Sequence, residues 1–166
     1  MATRFRVEAL DLQAERSGFS CGLEALDRYF HTQVGQDIKR RVTACFVALD
    51  IQGRIAGYYT LASASVMLSE LPDSLARKLP RYPSVPAVRM GRLAVDSDYR
   101  GTGLGGALLA DALRRALSAE IAAYALVVDA KDASAADFYA HHGFMALPDQ
   151  PRCLFLPLAT VKSIVN

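Results

Sequence analysis

Arg100-Gly101-Thr102-Gly103-Leu104-Gly105-Gly106 is the stretch on which the reading of this chain turns. Four of its seven residues are glycine, out of eleven glycines in 166 residues. The apolar run Met90 to Val95 precedes it, and a long helical pattern begins inside it. A glycine-rich segment between a strand and a helix lets bare backbone N–H groups approach a phosphate. The helix N-terminus adds partial positive charge. The stretch therefore raises one question, which phosphate-bearing ligand it serves.

Outward from the loop the pattern predicts one mixed α/β domain, residues 1–166, large enough to bury its own core. Phe5, Val7 and Ala9 alternate with charged residues in a first strand, Phe5 to Leu10. Ser17 to Gly22 is turn-rich. Leu23, Leu26, Tyr29, Phe30 and Val34 recur at helical spacing, and Lys39-Arg40-Arg41 closes that helix where cations suit its dipole. Val42 to Leu49 and Ile55 to Leu61 read as a hairpin around Asp50 to Arg54, with Ser63 to Ser69 as an extension or an irregular continuation. Leu71 to Pro86 holds four of the seven prolines, so a short helix, Ser74 to Lys78, is expected inside a loop. Ala87 to Val95 is the next strand. After the loop, Leu104, Leu108, Ala112, Leu113, Ala116 and Leu117 form one helix face, with Asp111, Arg114, Arg115 and Ser118 on the other. Ala122 to Val128 is an interior strand. Asp132-Ala133-Ser134 opens a last helix that closes at Gly143. Phe144 to Leu147 and Leu154 to Leu158 are closing strands, with Pro148 to Pro151 as their turn.

Composition narrows the function classes. At 52% hydrophobic and 22% charged the chain is an ordinary soluble sequence, with no run long enough to span a membrane. Cys21, Cys45 and Cys153 lack metal or redox spacing and read as buried small hydrophobes. No metal site is expected. The odd count and the lack of a signal peptide favour the cytoplasm. From Ser74 to Arg92 there are five basic residues (Arg77, Lys78, Arg81, Arg89, Arg92) and no acidic one. Lys39-Arg40-Arg41 is a second basic cluster. Each alone reads as solvated surface, and together they raise the expectation of a polyanionic partner.

Three phosphate-binding patterns compete for the glycines. A P-loop needs a Lys after its last glycine, and here Ala107 follows Gly106. A dinucleotide fingerprint matches Gly101, Gly103 and Gly106, with Asp129 ending a strand at the proper remove. Against it, Asp96 to Arg100 intervene between strand and loop, and too little chain follows Asp129 for a second half-sheet. The third pattern fits. Arg100-x-x-Gly103-x-Gly105, after Arg92-Leu93-Ala94-Val95 and before a helix, resembles the acetyl-CoA pyrophosphate loop of the GNAT N-acetyltransferase family. Ala135 to Phe144 matches the family's late helix and turn. The resemblance implies a GNAT (acyl-CoA N-acyltransferase) fold, a mixed, mostly antiparallel central sheet flanked by helices.

It also implies roles. Backbone N–H groups from Gly101 through Thr102, Gly103 and Leu104 to Gly105, with Gly106 behind them, hold the diphosphate of acetyl-CoA, and Arg100 adds charge-assisted bonds. The strand edge Leu93, Ala94 and Val95 pairs with the pantetheine amides, and the Val95 N–H takes an oxyanion-hole role. Tyr139 stands at the general-acid position, the other reading being that it packs beside Phe138. No general base stands out. An α-amine is neutral in roughly a tenth of molecules at pH 7, which favours such a substrate over a lysine. His141 and His142 read as caps or solvent-facing residues ahead of bases.

A narrower resemblance, to the GNAT toxins of bacterial toxin–antitoxin pairs, is carried by Phe19-Ser20-Cys21-Gly22 with Leu26-Asp27, and by Gly57 to Leu61. Leu79 to Pro86, Gly91 to Asp96, Val128 to Asp132 and Phe138-Tyr139 complete the set. It implies acetylation of the α-amino group on a charged tRNA, a small ribbon-helix-helix antitoxin and a homodimer. Lys39, Arg40, Arg41, Arg77, Lys78 and Arg81 then become candidate tRNA phosphate contacts. Arg89 and Arg92 lie beside the acceptor end or the cofactor, and Tyr82 stacks on a terminal base or packs on Pro83. Two other readings remain open: a GNAT enzyme of a small amine, peptide or protein lysine, and a non-catalytic CoA- or RNA-binding module.

Overall fold

Alternating apolar segments become strands and the longer periodic ones helices, in the order β-α-β-β-β-α-β-α-β-β, with the expected short helix between the third and fourth strands. The computed structural model describes residues 4–161, so residues 1–3 and 162–166 of the expected domain lie outside the described residues. The strands are β1 (Arg6–Ala9), β2 (Ala44–Leu49), β3 (Ile55–Met67), β4 (Ser84–Val95), β5 (Ala125–Asp129), β6 (Met145–Leu147) and β7 (Gln150–Pro157). They form one sheet in the order β1-β2-β3-β4-β5-β7-β6. β4 runs parallel to β5, whereas β1–β2, β2–β3, β5–β7 and β6–β7 are antiparallel. The helices are α1 (Glu24–Arg28), α2 (Val34–Lys39), α3 (Asp73–Ala76), α4 (Leu104–Ser118) and α5 (Ala133–His141).

The chain divides into two compact units. One comprises the residues up to Ala62 with Gly91–Ala112, the other Ser63–Met90 with the residues from Leu113 on. In the first, the hairpin turn after β2 is built by Asp50, whose carboxylate accepts from the N–H groups of Gln52 and Arg54 at 2.9 Å each. Gly53 supplies the left-handed residue the turn needs, at φ 84°. The core is aromatic. Phe30 and Tyr58 stack at 4.3 Å, and Phe19 meets both edge-on at 5.0 and 5.4 Å. Burying Tyr58 strands its hydroxyl unless it finds an acceptor, and it donates to the Leu26 carbonyl at 2.8 Å. Gly57 has no room for a side chain. A Cβ there would lie 2.8 Å from Leu108 Cδ1 and 3.0 Å from the Ala94 carbonyl oxygen.

The first long helix is not continuous. A π-helical turn, Tyr29–Gln33, separates α1 from α2 and takes up an extra residue. Tyr29, Phe30 and Val34 are buried, while Leu23, the first residue of the predicted pattern, is 40% exposed. The helix ends as a Schellman motif: Val42 N–H bonds the Asp37 carbonyl and Arg41 N–H the Ile38 carbonyl, each at 3.0 Å. The left-handed residue of that motif is ordinarily glycine; here it is Arg41, at φ 60°.

One expectation for α4 is corrected. Asp111, assigned to the polar face, is only 5% exposed. The fully buried Tyr59 needs an acceptor for its hydroxyl, and the Asp111 carboxylate accepts it.

The second unit packs Val66, Leu71, Val85, Ala87, Ala125, Val127, Leu147, Cys153 and Phe155 into one cluster. β4 pairs with β5 from Ala87↔Ala125 to Met90↔Val128, and β5 with β7 from Ala125↔Pro157 to Asp129↔Cys153. α5 forms as its end signals predict. Asp132 caps it by accepting from Ala135 N–H at 2.8 Å, and Gly143 leaves it at φ 95°. Pro148 to Pro151 is not wholly turn, since β7 already begins at Gln150. Pro151 is tolerated because β6–β7 is bulged between Ala146 and Leu147 and β5–β7 pairing starts only at Cys153. β3 runs on to Met67, so the extension beyond Leu61 is regular strand.

Replacing Arg41 by Gly should stabilise the protein by about 1 kcal/mol, because the left-handed conformation costs a side chain roughly that much. The urea midpoint of Arg41→Gly should rise; an unchanged or lower midpoint would show that the arginine's contacts offset its backbone cost.

Candidate active site

In the first unit the glycine loop is set by what precedes it. The five residues from Asp96 to Arg100 include a 3₁₀ turn, Ser97–Tyr99, organised by Asp96. That carboxylate is almost wholly buried, so it requires donors. Ser20 N–H and Asp98 N–H supply two, at 3.0 and 2.9 Å, and Arg54 a third at 3.4 Å. Backbone bonds reinforce them, from Asp96 N–H to the Ala56 carbonyl and from Ser97 N–H to the Ser20 carbonyl, both at 2.8 Å. Arg54 also pairs with Asp98 at 2.7 Å and lies 5.3 Å from the Tyr99 ring centre. The Tyr99 hydroxyl donates to Asp50 at 2.5 Å. That bond holds the Asp50 carboxyl below the usual range and raises the Tyr99 phenol.

Arg100 donates from its guanidinium to the Cys21 carbonyl. Gly22 makes room for this, at φ 91°, since a Cβ there would lie 2.9 Å from Arg100 Nη2. Gly101 and Gly103 have φ of 76° and 81°, and nothing stands within 4 Å of where a Cβ would be. Bare backbone at a left-handed bend therefore faces open space at the start of the 15-residue α4, whose first turn carries no acidic residue. These features fit an anion such as a diphosphate.

At the other end of the same stretch of β4, the Arg92 guanidinium lies 3.4 Å over the ring of Tyr29. The Tyr29 hydroxyl donates to Asp37 at 2.7 Å, and Gln33 donates to the same carboxylate at 3.1 Å. Burial, then the bond to Asp37, pushes the Tyr29 phenol far up, while the Tyr29 bond holds the Asp37 carboxyl down. Leu93 to Val95 lie between Arg92 and the turn at Asp96, with Ala94 buried. Lys39, Arg40 and Arg41 are exposed at the end of α2. A groove of about 400 Å³ is lined by Ser20, Gly22, Asp27 and His31, among others. Asp27 accepts from Cys21 N–H at 2.9 Å, and His31 Nε2 donates to the Phe19 carbonyl at 2.7 Å.

In the second unit Tyr139 sits on α5, 6% exposed, against the rings of Phe138 and Phe144. Burial, aided by the charge of Asp129, pushes its phenol up to about 12, so it is a proton donor throughout the neutral range. His142 Nδ1 donates to the Phe138 carbonyl at 3.0 Å and caps the helix; His141 is exposed beside it. Arg77, Lys78 and Arg81 are exposed, and Arg77 and Arg81 line a groove of about 310 Å³ beside α3. Arg89 differs from them: burial works against its charge, and its pairing with Asp129, with a contribution from Cys153, more than offsets this and raises its pKa. The three cysteines are buried thiols, with burial pushing the Cys45 thiol up to about 12. Among the described residues no helix is long and apolar enough to cross a membrane, and no group of three or more His, Cys, Asp or Glu is placed to hold a metal.

Sequence reading missed Asp96, Tyr59–Asp111 and the Asp37–Tyr29–Arg92 set. For Asp96 a signal existed, an acid directly after an apolar strand. The others depend on partners that no local pattern reveals.

Comparison with known proteins agrees with the geometry. Residues 9–144 match the Acetyltransferase (GNAT) family. The chain is 34% identical to a tRNA-acetylating toxin of Mycobacterium tuberculosis, over 90% of each sequence. Its fold superposes on AtaT complexed with acetyl-methionyl-tRNAfMet with a TM-score of 0.90 and 27% identity, covering 98% of this chain and 100% of that one. A Tyr-to-Phe mutant of AtaT, bound to the C-terminus of the antitoxin AtaR and acetyl-CoA, gives a TM-score of 0.81 at 25% identity. The coverage there is 96% of this chain and 97% of that one.

Asp96→Ala should cost about 2–4 kcal/mol, because it orphans two backbone donors at once and removes the longer of Arg54's two carboxylate contacts. Urea unfolding measures this directly, and a loss below about 1 kcal/mol would mean that water replaces the carboxylate.

Proposed function

The chain belongs to the GNAT family of acetyltransferases, and from that premise we propose that it is a toxin acetylating the α-amino group of the amino acid on a charged tRNA, so blocking translation. The acetyl donor is acetyl-CoA. The observation that carries the acceptor half is the likeness, along nine-tenths of both sequences, to a toxin that acetylates tRNA. A cognate antitoxin is part of this reading. So are its ribbon-helix-helix type, a homodimer, cytoplasmic residence and a single catalytic domain over the whole chain.

In this reading the chain's own groups divide the work. The N–H groups from Gly101 to Gly105 hold the donor's diphosphate at the positive end of α4, with Arg100 adding charge. The edge of Leu93 to Val95 pairs with the pantetheine amides. The Val95 N–H donates to the thioester carbonyl oxygen, whose negative charge grows as the amine nitrogen bonds to the carbonyl carbon. As the carbon–sulfur bond breaks, Tyr139 gives its hydroxyl proton to the sulfur, and the new amide nitrogen releases a proton to solvent. The open loop and the high Tyr139 pKa support these assignments. Lys39, Arg40, Arg41, Arg77, Lys78 and Arg81 bind tRNA phosphates and fix its position without reading sequence. Arg89, already paired with Asp129, contributes less than those exposed cations.

Labelled acetyl-CoA incubated with the protein and a pool of charged tRNA should place label on the aminoacyl end. Label only on small amines or proteins would defeat the reading. Tyr139→Phe should bind acetyl-CoA as before by calorimetry and lose about 100-fold in turnover. The phenol stays protonated below about 12, so the rising limb of kcat/KM belongs to the amine, near pH ~7.7–8.0. No falling limb from Tyr139 should appear by pH 10; one lost together with the hydroxyl would place its pKa lower.

A further inference from the structure

Arg92 is held differently from two other partly buried arginines, Arg16 and Arg89. Arg16 donates to the Phe30 carbonyl at 2.9 Å, and Arg89 pairs with Asp129. Arg92 instead lays its guanidinium over Tyr29, and among the described residues it donates no hydrogen bond and joins no ion pair. Stacking uses the face of a guanidinium and leaves its in-plane N–H fork unspent. The platform beneath it is fixed: Tyr29 is buried, opens the π-helical turn and is tied by its hydroxyl to Asp37. With no protein acceptor, its N–H groups are left to water in the free protein, and the same fork suits a phosphate held bidentately.

Strand geometry separates that phosphate from the donor's. Arg92 stands three residues before Val95, about 10 Å of extended chain at ~3.3 Å per residue. The turn at Asp96 then intervenes before the glycine loop. A diphosphate seated on Gly101 to Gly105 is met by that loop's own N–H groups and by Arg100, which leaves Arg92 for a different anion. We propose that Arg92, stacked on Tyr29, is a specificity-determining residue that grips a phosphodiester beside the aminoacylated 3′ end of the acceptor. It thereby selects charged tRNA over free amines. The inference rests on the tRNA-acetylating reading and deepens it.

The test uses the full chain with acetyl-CoA and two acceptors, charged tRNA and the matching 3′-aminoacyl-adenosine, which lacks phosphate. Arg92→Gln should raise KM for charged tRNA at least about tenfold with kcat within about threefold, as loss of a charged bidentate contact implies. On the phosphate-free acceptor its kcat/KM should stay within about twofold of the unsubstituted protein. Arg92→Lys keeps the charge without the fork and should fall between the two on charged tRNA. An unchanged KM for charged tRNA overturns the proposal. So does an equal loss on both acceptors, in Arg92→Gln or in Arg92→Lys should the former fold poorly. Failure of the underlying reading shows elsewhere: the unsubstituted protein would then acetylate no charged tRNA, and the proposal falls with it.

Discussion

A carboxylate can be buried only where donors converge on it, and at Asp96 they come from separate parts of the chain. Ser20 lies 76 positions away and Arg54 42, yet both reach the same group. Satisfying Asp96 therefore ties the Phe19–Ser20 segment, the β2–β3 hairpin and the exit of β4 into one knot. The glycine loop leaves from that knot. Its left-handed glycines give it freedom, and the knot fixes where that freedom begins.

That arrangement also explains why the loop suits a donor molecule rather than a dinucleotide. The same residues that push the glycines away from the strand end give the loop a rigid approach and leave Leu93 to Val95 as a separate stretch. The loop's backbone does the work of an anion site while no side chain crowds it. Nothing about the loop speaks to the acceptor. The acceptor is argued from the likeness to known toxins, from the cations at the end of α2 and around α3, and from the unspent fork of Arg92.

What could be read from the sequence follows the range of the forces involved. The α5 ends, Asp132 and Gly143, were legible because capping and left-handed exit are one-residue chemistries. Element order and the glycine loop were legible for the same reason. The π-helical turn was not, since no residue preference marks it and only packing of Tyr29, Phe30 and Val34 against the sheet requires it. Asp111 looked like surface because its partner, Tyr59, is 52 positions away; Arg89 looked like a free cation because Asp129 is 40 away. Arg41 gave no hint of its backbone, because a basic residue at a helix end is satisfied by the dipole argument alone.

Gly57 carries a consequence for the evolution of such chains. Its missing side chain lets β3 lie against Leu108 and the Ala94 carbonyl oxygen. The first neighbour can change size by a single substitution, but the second is main chain and has no smaller version. Position 57 is thus locked by an atom that mutation cannot trim. Drift at Leu108 can proceed while Gly57 stays, whereas any escape at 57 requires the end of β4, and with it the strand leading to Asp96, to move as a body.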